Sequence, residues 1–257
     1  MSEIEILARQ AGKILRAGYG QSHQINHKGK IDLVTEIDHQ SEQFLLSEIR
    51  QKFPDHQVLA EESGASAGED CCLWYVDPLD GTVNYAHGVP VFSVSLAYQE
   101  GGEVLMGVVY DPIRDECFSA EKGNGTRLNG KAIHVSAVVE LDQSLLVTGF
   151  PYDIRTNPNN NLDHFRRFAL LTQGVRRLGS AALDLCYVAA GRFDGFWEIR
   201  LNPWDVAAGA LITQEAGGMV TNIYGQPDYL ASPQSILAAN PNIHPAMLEV
   251  LKNPPDL

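Results

Sequence analysis

The stretch WYVDPLDGTVNY, Trp74 to Tyr85, sets two carboxylates and a hydroxyl at the end of an apolar run. Leu73, Trp74, Tyr75 and Val76 lead into Asp77, and Pro78, Leu79, Asp80, Gly81 and Thr82 follow. With Pro78 fixing the backbone between the two acids, the spacing predicts a tight turn that brings Asp77 and Asp80 together. Carboxylates that close repel unless a proton or a cation lies between them. The stretch holds neither Cys nor His. Its hard oxygen donors therefore suit Mg²⁺, with Mn²⁺ possible, better than Zn²⁺. Taken singly, an Asp at a strand end reads more simply as a solvated group or a helix cap. The clustering is what favours a cation.

A metal site needs more ligands than these. Glu61 and Glu62 close the run VLAEES, and Asp205 opens the helix-like stretch WDVAAGALITQEAGG. Alone, the glutamates read as an exposed loop pair and Asp205 as a partner of a helix dipole. Spacing does not bring the three segments together. Gly81 lets a backbone N–H approach a ligand closely. If the chain turns helical after it, the N–H groups of Gly81 and Thr82 suit a phosphate. The Thr82 hydroxyl either positions a water or caps that helix.

The elements that would carry these residues follow from periodicity. Ile4, Leu7, Ala8, Ala11, Ile14 and Leu15 predict an amphipathic helix over residues 3–17, ended by Gly18 and Gly20. Thr35 and Asp38 resemble a capping box before a helix that Pro54 stops. HQVLAEESG and CLWYV read as strands. From Val91 to about Val135, alternating runs broken by EGGE, DPIRD and KGNG predict an antiparallel meander. Residues 152–161, rich in Asn and Pro, read as a surface loop near a boundary between two lobes, about 1–150 and 151–257. Beyond it, LDHFRRFALLTQ, SAALDLCYVAAG, PWDVAAGALITQEAGG and IHPAMLEVLKN read as helices, and FDGFWEI and SILAAN as strands. The mixture predicts a layered α/β sandwich in a single domain.

Composition narrows the partners. The 257 residues carry a net charge of −13 and no basic stripe. That disfavours a nucleic-acid backbone and an anionic membrane surface. An anionic substrate would need a local positive centre, which again points to a bound metal. Cys71, Cys72, Cys117 and Cys186 form no CxxC pair and predict reduced thiols. The charged first residues do not read as a signal peptide, and no apolar run is long enough to cross a bilayer. A cytoplasmic protein is expected. His87 reads as a loop or interface residue, and Trp74, Trp197 and Trp204 as core.

DPLDGT, with EES upstream and WDVAAG downstream, resembles the inositol monophosphatase family of Mg²⁺-dependent, lithium-sensitive phosphatases. DLVTEID and GSAALDL are similar to two further motifs of that family, and the likeness spans nearly the whole chain. The resemblance implies an αβαβα sandwich, a homodimer, and hydrolysis of myo-inositol monophosphate with two or three Mg²⁺ ions. It implies a metal set of Glu61, Asp77, the Leu79 carbonyl, Asp80 and Asp205. Glu61 and Thr82 would steer the attacking water, with Asp38 hydrogen-bonded behind Thr82. Gly81 and Thr82 would hold phosphate through backbone N–H groups. Gly179, Ser180 and Ala181 would lie beside the substrate hydroxyls, and Glu198 would accept one of them. Glu62 is the less defined half of its pair. The sequence departs from the family's pattern at Val83, where a second threonine is common, and at Arg200, where a small residue is frequent. Lys28 and Lys30 flank the usual basic position. A cation at Arg200 keeps fructose 1,6-bisphosphate and other sugar phosphates, histidinol phosphate among them, open as substrates. A non-catalytic module of the same fold is the remaining alternative. Arg176 and Arg177 either support the structure or line the cleft.

Overall fold

A computed structural model describes residues 3–21, 25–27, 33–232 and 234–252. Lys28 and Lys30 lie outside the described residues. Helix α1 (Glu3–Gly18) buries Ile4, Leu7, Ala8, Ala11 and Leu15 along one face, as the periodicity predicts. Strands β1 (Ile25–His27) and β2 (Leu33–Thr35) form an antiparallel pair. Helix α2 (Glu36–Lys52) begins at the expected capping box. Thr35 Oγ1 accepts from the Ile37 N–H at 3.2 Å, and the Thr35 N–H donates to Asp38 Oδ2 at 2.9 Å.

Strands β3 (His56–Ala60), β4 (Gly64–Ala65) and β5 (Glu69–Asp80) come next. β5 runs longer than CLWYV. It continues through Pro78 to Asp80, where the sequence suggested a tight turn. Helix α3 (Thr82–Ala86) follows directly, with Gly81 as its left-handed N-cap at φ 97°. The expected meander is β6 (Ser93–Glu100), β7 (Glu103–Asp111), β8 (Glu116–Glu121), β9 (Thr126–Leu128) and β10 (Lys131–Ala132). These join β3, β4 and β5 in an eight-stranded sheet of order β10-β9-β8-β7-β6-β5-β3-β4, in which β3 and β5 are parallel.

The second half forms a five-stranded sheet. Its members are β11 (Leu145–Thr148), β12 (Gly174–Arg176), β13 (Gly195–Ile199), β14 (Met219–Thr221) and β15 (Ser235–Ala239), ordered β12-β11-β13-β15-β14. β11, β12 and β14 have three or four residues each, too few for a period to show in the sequence. Helices α4 (Leu162–Leu171), α5 (Ala181–Ala189), α6 (Pro203–Glu215) and α7 (His244–Lys252) complete the chain.

Three apolar cores alternate with the sheets. One joins α1 and α2 to the eight-stranded sheet. A middle core holds α5 and α6 between the two sheets. The third packs α4 and α7 on the far face of the five-stranded sheet. The architecture is an αβαβα sandwich. In β15, Ile236 and Ala238 face the middle core while Leu237 and Ala239 face the outer one, the alternation that strand geometry imposes. Gly107 permits the close approach of β7 to α6: a Cβ there would lie 2.9 Å from the Ala208 carbonyl oxygen.

Candidate active site

The two acids of DPLD share a face because β5 is irregular between them. Asp77 pairs with Ser95 and Asp80 with Ser93, so Pro78 and Leu79 stand opposite Val94 alone. This is a β-bulge, and it corrects the expected tight turn. In a regular strand, residues three apart point to opposite faces. The inserted residue restores the parity, and both carboxylates lie on the side of Ser93 and Ser95. The bulge also explains why proline is tolerated inside a paired strand. Ser95 Oγ reaches the Trp204 carbonyl at 3.4 Å, which identifies this face as the one toward α6.

Other segments converge on it. Asp205, in the first turn of α6, forms a capping box and accepts from the Asn202 N–H at 2.7 Å. Glu61 directly follows β3, and its N–H donates to the Val76 carbonyl of β5 at 3.1 Å. Asp80 sits at the N-terminus of α5. Its Oδ2 accepts from the Ala182 N–H at 3.0 Å and from Ser93 Oγ at 3.3 Å, and Ser180 Oγ makes a very short bond to the same oxygen. Its Oδ1 accepts from the Ala181 N–H at 3.2 Å. The positive end of a helix thus faces a carboxylate carried by a strand.

Electrostatics binds these acids into one group. Burial pushes the Asp77 carboxyl well above the usual range, and the charges of Glu61, Asp80 and Asp205 push it further. Asp205 keeps an opening to the cleft, yet protein packed around its carboxyl and the charge of Glu61 raise it strongly too. Asp80 is raised by burial, against the lowering effect of its hydrogen bonds. Among the described residues no three His, Cys, Asp or Glu side chains are already arranged so that they could hold a metal ion. The chemistry of the donors still suits a hard divalent cation. The group consists of oxygens alone, and each carboxylate raises the cost of ionising the others.

Beside the acids, Thr82 Oγ1 lies 2.9 Å from Asp38 Oδ1 and 3.1 Å from the Leu79 carbonyl. Asp38 is fully buried, and desolvation raises its pKa against the lowering effect of hydrogen bonds from Thr35 and Thr82. Gly81 is required where it stands: a Cβ would lie 3.0 Å from the Val91 carbonyl and 3.1 Å from that of Gly179, at a φ that side chains rarely adopt.

The cleft above is lined by Glu61, Asp80, Gly81, Thr82, Gly179, Ser180, Ala181, Glu198 and Asp205. Asp77, Leu79 and Asp38 are buried beneath it. Glu198 is buried, and its carboxyl is pushed up to about 8 by desolvation, with Arg177 acting against and Asp80 adding a smaller push. A side chain at Gly149 would overlap the Glu198 carboxylate. Glu62 does not line the cleft; its N–H donates to Glu42 at 2.9 Å. Arg177 and Arg200 line it. Arg200 adopts a positive φ of 62° and pairs with Asp153 at 2.7 Å. His87 ends α3, Trp74 and Trp197 are core, and Trp204 packs on the middle core. All four cysteines are free.

Several contributors escaped sequence reasoning. Ser41 Oγ donates to the Pro78 carbonyl at 2.9 Å, inside the bulge. Glu42 holds the loop after β3 through Glu62. Both share a helix face with Asp38, being three and four residues on, and that spacing was the available signal. Asn84 Nδ2 donates at 2.8 Å to the carbonyls of both Val91 and Leu178, tying α3 to the glycine loop before α5. Asp184, one turn beyond Ser180, lines the cleft without having been singled out.

The chain and its architecture have close counterparts. A family model described as the inositol monophosphatase family matches residues 2–254. An inositol-1-monophosphatase of Mesorhizobium japonicum is 42% identical over 96% of this chain and 94% of its own length. The Nus factor SuhB of Pseudomonas aeruginosa is also 42% identical, over 97% of this chain and 95% of its own length. The solved structure of inositol monophosphatase from Anabaena (Nostoc) sp. superposes with a TM-score of 0.89 at 44% identity, covering 98% of this chain and 95% of that one. With its fold and cleft composition accounted for, the chain belongs to the inositol monophosphatase family and is a phosphatase of that superfamily.

Proposed function

We propose that the protein hydrolyses a small polyol phosphomonoester, with myo-inositol monophosphate as first substrate, releasing the polyol and phosphate. One observation carries the reading. The bulge in β5 aligns Asp77 and Asp80 with Glu61 and Asp205, next to the Thr82–Asp38 hydrogen bond and below a cleft that ends at Glu198. Glu61, Asp77, the Leu79 carbonyl, Asp80 and Asp205 would hold Mg²⁺, two or three ions, with Mn²⁺ as a substitute. When bound, the metal supplies positive charge for the phosphoryl oxygens and acidifies a water.

The chain's own groups do the rest. Thr82 Oγ1 commits its proton to the buried Asp38 carboxylate, which leaves its lone pairs to accept from a water. Glu61 orients the same water from the other side and takes up its proton. The first N–H groups of α3 have no intrahelical partner, so those of Gly81 and Thr82 suit phosphate oxygens. Gly179, Ser180 and Ala181 border the leaving alcohol, and Glu198 accepts one of its hydroxyls. The absent side chain at Gly149 leaves Glu198 its space. No covalent enzyme intermediate is needed.

Arg200 is engaged by Asp153, which supports a monophosphate over a bisphosphate as substrate. In the same reading the protein is cytoplasmic, lithium-sensitive and a homodimer. Leu162, Leu170 and Leu171 on α4 are exposed apolar side chains that a second copy could cover. The name Nus factor belongs to the Pseudomonas relative. In this chain a net charge of −13 argues against direct binding of a nucleic-acid backbone.

The test is phosphate release from myo-inositol 1-phosphate and fructose 1,6-bisphosphate, side by side, with Mg²⁺ and with EDTA. Release from the inositol ester that EDTA abolishes, well above that from the bisphosphate, is expected. A preference for the bisphosphate would move the substrate assignment and make Arg200 the first residue to vary. Undiminished release in EDTA would overturn the metal-dependent mechanism.

A further inference from the structure

Asp184 is a carboxylate lining the cleft that the reaction described above does not use. It lies on α5 one turn beyond Ser180, so the two share a helix face. Its side chain is 1% exposed, and its Oδ1 has no hydrogen-bond partner although it lines the cleft. Burial raises its carboxyl well above the ordinary range, with the charges of Glu198 and Asp80 adding and Arg177 opposing. A buried polar atom left unpaired is destabilising, and an apolar side chain in its place would avoid that cost. A buried carboxylate oxygen without a partner, on a residue that lines the cleft, is therefore best explained by a partner that arrives with the ligand.

The neighbours define that partner. Arg177 faces both Asp184 and Glu198, and its positive charge disfavours a second cation between them. A carboxyl group can both donate to and accept from a hydroxyl when protonated, and accept when ionised. The alcohol end of the cleft already carries Glu198 for one hydroxyl in the reading above. We infer that Asp184 is a second hydroxyl-binding residue, and that Asp184 and Glu198 together select substrates with neighbouring hydroxyls on the leaving alcohol. This rests on the polyol phosphatase reading. It adds a specificity determinant, with no part in bond making or breaking.

The experiment compares wild type with Asp184→Leu and Asp184→Asn on two phosphate esters with Mg²⁺. One is myo-inositol 1-phosphate, which carries ring hydroxyls. The other is 4-nitrophenyl phosphate, which carries none. Asp184→Leu is expected to raise KM for the inositol ester about tenfold, the effect of one lost hydrogen bond, and to leave kcat/KM for the nitrophenyl ester within about twofold. Asp184→Asn, which keeps a donor and an acceptor, is expected to recover most of the affinity. Equal losses on both esters, or an unchanged KM for the inositol ester, would overturn the assignment and mark Asp184 as structural. Should the leucine variant not fold, Asp184→Ala gives the same comparison. Wild-type enzyme that cleaves the nitrophenyl ester but no hydroxylated ester would overturn the polyol reading and this inference with it. Polyol-selective wild type with a flat variant ratio would overturn this inference alone.

Discussion

Asp77 is 2% exposed, and the charges of Glu61, Asp80 and Asp205 all bear on it. Asp77→Asn keeps the shape and the acceptor for the Leu79 N–H while removing the charge. Under the proposed mechanism it should lower kcat/KM for the inositol ester by at least about 10³, roughly 4 kcal/mol, at saturating Mg²⁺. Turnover at the wild-type level would sink the assigned role. Glu198 gives a second residue-scale prediction. Its folded-state value of about 8 lies above the ordinary 4.5. Between those values the folded protein binds more protons than the unfolded chain, so stability is greatest at the acid end and falls as pH rises. Asp77 and Asp205, also raised, act in the same direction. Urea midpoints of the metal-free protein should therefore drop from pH 5 to pH 8, and Glu198→Gln should make the drop smaller. An equal drop in the variant would show that Glu198 titrates normally.

At the level of elements, α2 holds the segments of the candidate site in register. Asp38 bonds Thr82 at the start of α3, Ser41 bonds the Pro78 carbonyl in the bulge, and Glu42 bonds the loop that carries Glu61. These contacts come from one helix face, so a single rigid body sets three segments that are far apart in sequence. Glu42→Ala leaves the Glu62 N–H without its acceptor. It should cost about 1–3 kcal/mol in unfolding free energy and lower kcat on the inositol ester, because Glu61 loses its support. An unchanged urea midpoint together with unchanged kcat would show that the loop is held by other means. The bulge deserves the same reading. Its effect depends on one extra residue, since side-chain parity along a strand is binary.

For the whole molecule, the acids are gathered from two adjoining layers. β3 and β5 bring Glu61, Asp77 and Asp80 from the eight-stranded sheet, and α6, in the layer between the sheets, brings Asp205. Their repulsion opposes the packing of that layer, and a bound cation would relieve it. Mg²⁺ at about a hundred times its dissociation constant should stabilise the folded state by about 2.7 kcal/mol, which for a chain of this size raises Tm by roughly 5–10 °C. Scanning calorimetry in Mg²⁺ and in EDTA reads the shift directly. Asp77→Asn should reduce it, and a Tm indifferent to Mg²⁺ would count against a metal site in this cleft.

The sequence by itself determined the parts whose physics is local. The α1 face, the Thr35–Asp38 capping box, the meander turns and the proline start of α6 were all legible, because periodicity and capping act over a few residues. The candidate acids stood out as residue types, and the family resemblance implied them as a set. Tertiary structure decided what depends on pairing and packing. The bulge that aligns Asp77 with Asp80 exists only relative to β6. The donors around Asp80 come from α5, about a hundred residues later. The short strands of the five-stranded sheet carry too few residues for a period. Asp184 reads in sequence as an ordinary polar position on a small-residue helix; only the packed cleft leaves it buried with Oδ1 lacking a partner.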